Sequence, residues 1–331
     1  MSSNIKQSAK RLGPVYHFAR FIYVYLLKLR RQLREYKNRE RRCSFGNANP
    51  DKTFYIIGVQ HTTGGLFAII KSVFCHICYA IEQGYIPVVD MEHFSCQLTD
   101  GTKETNAWEA YFEQPCGYTL KDIADSKNII LSASLPYPKG ISIGFDTPMN
   151  KELYDRYHRL FAEYIRPCEP VRIYLETKYD MVTHGRTKIL GVLCRGTDYT
   201  ESRPVGHPIQ PTASQAFEKA QEIMEKFGFE NLFLATEDKR IYDYFKAHYG
   251  NQLLFSGQKL YASMGGVKFL ADIPVADYSE KWHNIVDYYA TIYILSKCDG
   301  LSTGLTCGSI CAYLMSDEYE HVYFWDLGQY T

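Results

Sequence analysis

Three times in the second half of this chain a short strand-like stretch, apolar in the first two cases, opens abruptly into polar and glycine residues, and that recurrence limits the fold more than any other feature. Ile189, Leu190, Val192 and Leu193 give way to Arg195, Gly196, Thr197 and Asp198. Residues 231–236, NLFLAT, are followed at once by Glu237 and Asp238, and residues 299–302 open into Thr303, Gly304, Leu305, Thr306, Cys307, Gly308 and Ser309. Near-continuous apolar runs like the first two mark strands buried on both faces, as in a parallel sheet. Between the first two, Ala213, Ala216, Phe217, Ala220, Ile223, Met224 and Phe227 recur at helical spacing behind a Thr212/Gln215 capping box, and Gly228 ends them. Further helices are predicted over 239–249 and 284–297, and strands over 253–255 and 321–325. The result is a doubly wound α/β unit of about five strands, whose ligand crevice lies outside the carboxyl ends of the strands.

The three polar clusters fall on that edge. A guanidinium there offers planar, permanently charged donors to a phosphate; equally, Arg195 and Asp198 could form a structural salt bridge. Thr306 to Ser309 begin a helix whose free amides favour an anion. Thr306 and Asp238 also have the chemistry of plain helix caps, a role compatible with a site.

The first half carries a strand, helix, strand unit. A strand over 54–59 leads into a turn containing His61, Gly64 and Gly65, then a helix over 66–81, then a strand over 85–89 ending in Asp90. The paired glycines either let a ligand approach the backbone or simply make a tight turn. Residues 92–150 show no clear period. Within them NAWEAYFEQP, with Trp108 and Glu113, suits either a carbohydrate or a packed aromatic core. Helical character resumes over 149–179, with a crossover between 165 and 187.

A chain of 331 residues is long enough for two ordinary domains, drawn here as 45–180 and 181–331 behind an arm of 1–44. Net charge is zero but unevenly spread: residues 1–42 hold twelve Lys or Arg against Glu35 and Glu40, a net of +10 on an acidic body of −10. No stretch reaches the roughly 20 apolar residues that span a bilayer. The arm mixes Tyr16, Phe18, Phe21, Ile22, Tyr25 and Leu26 with Arg30, Arg31 and Arg34, which suits a helix lying on an anionic membrane surface. A solvated arm is the plain alternative; nucleic acid is not an expected partner, since no binding fold accompanies the charge.

Ten cysteines are scattered, and only Cys75 and Cys78 form a CxxC, without a second pair at zinc-like spacing. No GxGxxG follows the first strand of either half, no GxxxxGK[ST] occurs, and no DxD is present to hold a divalent metal on a diphosphate.

The phrases GVLCRGTDY followed by HPI, NLFLATED followed by LLFS, and SKCDGLSTGLTCGSICAYLM occur in that order. They resemble the three motifs of the α-1,6-, nodulation- and protein O-fucosyltransferase superfamily. The likeness covers residues 187–317, with a looser one at Gly64–Gly65. GLF, YIPVVDM and NAWE…FEQP are similar to phrases of bacterial polysaccharide-cluster glycosyltransferases. The resemblance implies a GT-B-like α/β fold, two Rossmann-like domains facing a cleft. It also implies inverting transfer from GDP-fucose without metal or other cofactor. By position, Arg195 matches the arginine on the donor β-phosphate, Asp238 the acidic residue on the nucleoside, and Thr306, Cys307, Gly308 and Ser309 the diphosphate loop; His207, in HPI, joins this donor set. The chain departs from the α-1,6 and nodulation pattern where Gly196 replaces a second arginine and Leu193 a histidine. The α-1,6 glutamate proposed as base aligns with Arg203, close to Glu201.

The expected activity is therefore glycosyl transfer from GDP-fucose, or another nucleotide sugar, to a glycan hydroxyl in bacterial surface polysaccharide synthesis. Arg195, Asp198 and Glu201 form the expected catalytic set. His61, Gly64, Gly65, Asp90, Trp108 and Glu113 are the acceptor or cleft residues. The arm suits a lipid-linked acceptor and a peripheral place on the cytoplasmic face of the inner membrane. A non-catalytic nucleotide-sugar or glycan-binding subunit of a membrane assembly is the alternative.

Overall fold

The computed structural model describes residues 39–331 except 59–63, 95, 100–104, 134–136, 139, 267–268 and 276, and of the first 38 only Ile22, Tyr25 and Leu26. The other residues of the first 38, which make up most of the basic arm, and His61 lie outside the described residues. Among those described, no helix is long and apolar enough to cross a membrane.

The first sheet contains β1 (Arg41–Cys43), β2 (Ala48–Ile57), β3 (Ile86–Val89) and β4 (Ser126–Leu131), in the order β1-β4-β2-β3. β2 runs parallel to both β3 and β4, and β1 pairs antiparallel with β4. Helix α1 (Leu66–Glu82) joins β2 to β3 and is buried almost all round, as its near-continuous apolar sequence demands. β4 was not legible in advance: SKNIIL carries only three apolar residues and its partner β1 is RRC, so neither shows a strand period.

Two helices follow, α2 (Lys151–Tyr164), capped by Asn150, and α3 (Glu169–Thr183). They pack against the second half of the chain, where Tyr154 stacks on Tyr313 with ring centroids 4.1 Å apart.

The second sheet is wholly parallel. Its strands are β5 (Ile189–Leu193), β6 (Asn231–Ala235), β7 (Leu253–Phe255), β8 (Gly300–Gly304) and β9 (His321–Trp325), in the order β7-β6-β5-β8-β9. Helices α4 (Ala213–Phe227), α5 (Lys239–Tyr249), α6 (Tyr278–Ser296) and α7 (Cys307–Met315) connect and cover them. Helix α6 lies so close on β5 that a Cβ at Gly191 would come within 2.6 Å of Leu295 Cδ1. The chain builds outward from β5 to β7 and then returns to place β8 on the other side. The β5/β8 boundary is thus the topological switch point, where such sheets bind ligands.

One apolar cluster runs from Tyr55 and Phe74 through Tyr157 and Phe161 to Tyr289, Leu295 and Leu314, so the inner faces of both sheets share a core. An aromatic seam crosses between them: Phe67 meets Tyr288 and Tyr289 edge-on at 5.2 and 5.8 Å, and Phe112 packs on Tyr289 at 5.6 Å. A separate cluster fills the outer face of the second sheet around Val192, Phe217, Leu234 and Phe245. The architecture is the GT-B-like one: two Rossmann-like sheets whose strand ends face a common cavity.

Candidate functional site

A cavity of about 820 Å3 is walled by residues that follow strands in both sheets. Gly64 and Gly65 come after β2, Leu98 after β3, Arg195 and Asp198 after β5, Glu237 after β6, Gln258 after β7, and residues 306–308 after β8. His207 also lines it, edge-on to Tyr199 at 5.6 Å.

Arg195 is held rather than free. Its Nη2 donates to Asp198 Oδ1 at 2.8 Å, and its Nε lies 3.0 Å from Glu237 Oε2. The guanidinium also stands over the Tyr199 ring at 5.3 Å. Both readings of Arg195 thus hold at once: it is salt-bridged to Asp198, and it forms part of the cavity wall with its side chain 12% exposed. The bond to Asp198 spends one of the several donors that a guanidinium carries.

The loop that sets this arginine is strained and braced. Thr197, a β-branched residue, adopts φ +37°, a conformation that persists only where surroundings over-determine it. The bracing comes from the end of β6. Glu237 Oε1 accepts from Thr197 Oγ1 at 2.7 Å and from Gly196 N at 3.1 Å, while Asp238 Oδ2 accepts from Thr197 N at 3.0 Å. A Cβ on residue 196 would fall 2.1 Å from Asp238 Oδ2, which explains a glycine there. Residues 198–202 then form one π-helical turn.

Burial pushes the Glu237 carboxyl above its ordinary range; Arg195 opposes this, and Asp198 adds to it. Burial also lifts Asp238, but bonds from the Arg240 side chain and from the amides of Thr197 and Arg240 outweigh it, and the net shift is downward. For Arg195, burial disfavours the charge, but Glu237 and Asp198 overcome it and hold the guanidinium ionised.

Two helices start at the cavity. α7 is closed by a reciprocal capping box: Thr306 Oγ1 accepts from Ser309 N at 3.0 Å, and Ser309 Oγ from Thr306 N at 2.8 Å. This leaves the Cys307 and Gly308 amides at the wall. α1 begins at Leu66 behind Gly65, which supplies no side-chain cap, and its first residues line the same wall; of their amides, Ala68 N is already bonded to the Gly65 carbonyl at 3.0 Å. Partial positive charge collects at both ends.

The remaining sequence-derived residues lie elsewhere. Asp238 is buried as the N-cap of α5, accepting from Arg240 N at 2.8 Å, and Ser309 is buried inside its capping box. Glu201 pairs with Arg240 at 3.1 Å. Asp90 holds its own turn, accepting from the amides of Glu92 and His93. Trp108 is fully buried, stacked on Phe112 at 4.3 Å, and Glu113 pairs with Arg166 at 2.8 Å. NAWEAYFEQP is thus core and its support.

Sequence reasoning missed the face of α6 made by Lys281, Asn284, Ile285 and Tyr288, all in the wall. Their i, i+3, i+4, i+7 spacing was a usable signal. It also missed Gln258, Lys259, Tyr261 and residues 269–275, which come from irregular backbone without a period. No three His, Cys, Asp or Glu side chains are grouped to hold a metal ion among the described residues.

No protein-family model matches the chain, and no curated protein matches it in sequence. Among solved structures, it is similar to the fucosyltransferase NodZ from Bradyrhizobium, at 15% identity and a TM-score of 0.47, over 83% of this chain and 96% of that one. A mutant of Arabidopsis thaliana FUT1 in complex with GDP matches at 10% identity and 0.46, over 82% and 70%. POFUT1 in complex with GDP matches at 12% and 0.35, over 84% and 74%.

Proposed function

We propose that this chain is a nucleotide-sugar-dependent glycosyltransferase whose donor diphosphate lies at the β5/β8 switch point. One observation carries the reading. The Arg195 guanidinium and the amino ends of α1 and α7 share the wall of a single cavity at the carboxyl edge of both sheets. Such a wall favours an anion with several oxygens.

As the bond from the sugar to the diphosphate breaks, the leaving group gains charge. A fixed guanidinium and the amides of Cys307 and Gly308 then stabilise the transition state more than the ground state. Direct displacement, with inversion, needs a base for the acceptor hydroxyl. Of the carboxylates that could serve, Asp198, Glu201, Asp90 and Glu113, Asp198 is the one in the wall, and it takes that role. Its bond to Arg195 ties acceptor activation to donor binding. The acceptor enters beside Gly64, Gly65 and Phe67. Fucose from GDP-fucose, used without metal, is the donor implied by the motif resemblance. A bacterial surface glycan, lipid-linked and reached through the basic arm at the inner membrane face, is the acceptor we favour.

The test is calorimetry with GDP, UDP, CDP and dTDP, followed by donor turnover with the matching nucleotide sugars. Binding of one nucleoside diphosphate together with turnover supports the proposal. Binding without turnover points to a non-catalytic module, and binding of none removes the reading.

A further inference from the structure

Gln258 stands just past β7, two strands along the sheet edge from Arg195, and lines the same cavity while only 7% exposed. Its Nε2 donates to the Thr236 carbonyl at the end of β6. That bond decides which way the carboxamide lies, since the opposite orientation would press two acceptor oxygens together. Oε1 accepts no hydrogen bond from any described residue. A buried acceptor in that condition is costly unless a ligand supplies the donor.

The backbone beneath it is fixed by a relay. Gln258 N donates to Ser256 Oγ at 3.3 Å, Ser256 Oγ lies 2.7 Å from Thr291 Oγ1, and Thr291 Oγ1 donates to the Asp287 carbonyl at 2.9 Å. With the Thr291 proton spent on Asp287, Ser256 is the donor to Thr291 and accepts from Gln258. The backbone is therefore placed in advance by Ser256, Thr291 and Asp287, and the side chain by Thr236. Around the cavity, Phe269, Leu270, Ile273, Pro274 and Val275 add an apolar surface.

We propose that Gln258 is a specificity-determining residue whose Oε1 accepts a hydrogen bond from an N–H on the base of the nucleoside diphosphate. The inference rests on the nucleotide reading above. With the diphosphate at β5/β8, Gln258 lies two strand spacings away, roughly 10 Å, a distance that an extended ribosyl diphosphate spans. An unpaired carboxamide oxygen beside the apolar surface of Phe269, Leu270, Ile273, Pro274 and Val275 suits a flat ring with a polar edge better than a hexose with hydroxyls all round.

The experiment measures dissociation constants of the preferred nucleoside diphosphate, its ring-N-methylated analogue and ribose 5-diphosphate, for the full chain and for Gln258→Met. Expected is a loss of roughly ten- to a hundredfold for the nucleotide on substitution, little change for ribose 5-diphosphate, and a comparable loss for the methylated base on the unaltered protein. Should the variant fold poorly, the methylated base on the unaltered protein still decides. Equal affinity for the methylated and natural bases, or an equal loss for nucleotide and ribose 5-diphosphate, overturns the role of Gln258 alone. Failure of the unaltered protein to bind any nucleoside diphosphate overturns both readings.

Discussion

Arg195 Nε lies 3.0 Å from Glu237 Oε2, yet its N–H points off the line to that oxygen, so the two residues are joined by charge and not by a hydrogen bond. Asp198 holds the other end of the guanidinium at 2.8 Å. With all three ionised the cluster carries one negative charge. The upward push of burial on Glu237 relieves it by favouring the neutral acid. A guanidinium in that setting stays charged, with further N–H donors beyond the one given to Asp198.

Arg195→Ala removes the proposed clamp and also leaves the buried acids Asp198 and Glu237 without their cation, a change that typically costs about 3–5 kcal/mol of stability. Loss of activity in that variant therefore has two causes. Arg195→Lys separates them, because it keeps the charge and loses the planar fork. Its melting temperature is expected near that of the unaltered protein, with donor turnover reduced about a hundredfold or more. Undiminished turnover in Arg195→Lys would remove the guanidinium from the chemistry.

Acid-base behaviour carries a second prediction. The folded protein raises the Glu237 carboxyl above its unfolded value, so the stability it contributes is present at low pH and lost as pH climbs through the raised value. Glu237→Gln mimics the protonated form. The melting temperature of this variant should gain on the unaltered protein as pH rises from the ordinary carboxylate range upward, and the two should converge below it. Asp238, pulled down, acts in the opposite sense: Asp238→Asn should remove stability that the unaltered protein loses only as pH falls. Parallel melting curves for Glu237→Gln across pH would contradict the first assignment.

Trp108 separates the two uses of its aromatic phrase. Fully buried against Phe112, with Nε1 bonded to the Glu113 carbonyl at 3.0 Å, it holds the first lobe together. Trp108→Ala should lower stability by about 3–5 kcal/mol, measured by denaturant unfolding, and Trp108→Phe should leave glycan affinity untouched. A variant of normal stability that no longer binds acceptor would reverse this conclusion.

The basic arm has its own test. Because Arg41 to Cys43 are paired with β4, a truncation meant to remove the arm has to stop before residue 39. Such a protein should fold, keep transfer to a soluble acceptor and no longer sediment with anionic vesicles. Continued sedimentation in low salt would exclude the arm as the membrane contact.

Most of the second sheet was legible in the sequence: β5 and β6 are buried almost throughout and their apolar runs end just ahead of Arg195 and Glu237, whereas β8 continues through Thr303 to Gly304, past the Ser302 end read from the sequence. Ile189–Leu193 and His321–Trp325 fall where the runs place them. β4 and β1 were not, since Ser126, Lys127 and Asn128 carry no period, and a three-residue charged strand is defined only by its partner. Of the candidate site, the residues closing strands were readable, because topology alone brings them to one edge. Gln258 and residues 269–275 were not, because they reach the cavity from a long irregular connection. Asp238 shows the reverse limit: the right residue type at a strand end, spent on capping α5 and holding Thr197.

The seam of rings between the sheets limits how this molecule can breathe. Swinging the lobes apart would separate Phe67 from Tyr288 and Tyr289, and Phe112 from Tyr289. Each such pair is worth about 0.5–1.5 kcal/mol beyond its buried area. Hinged opening is thus uphill from the start, and the two lobes are held at a set separation around the chamber they enclose.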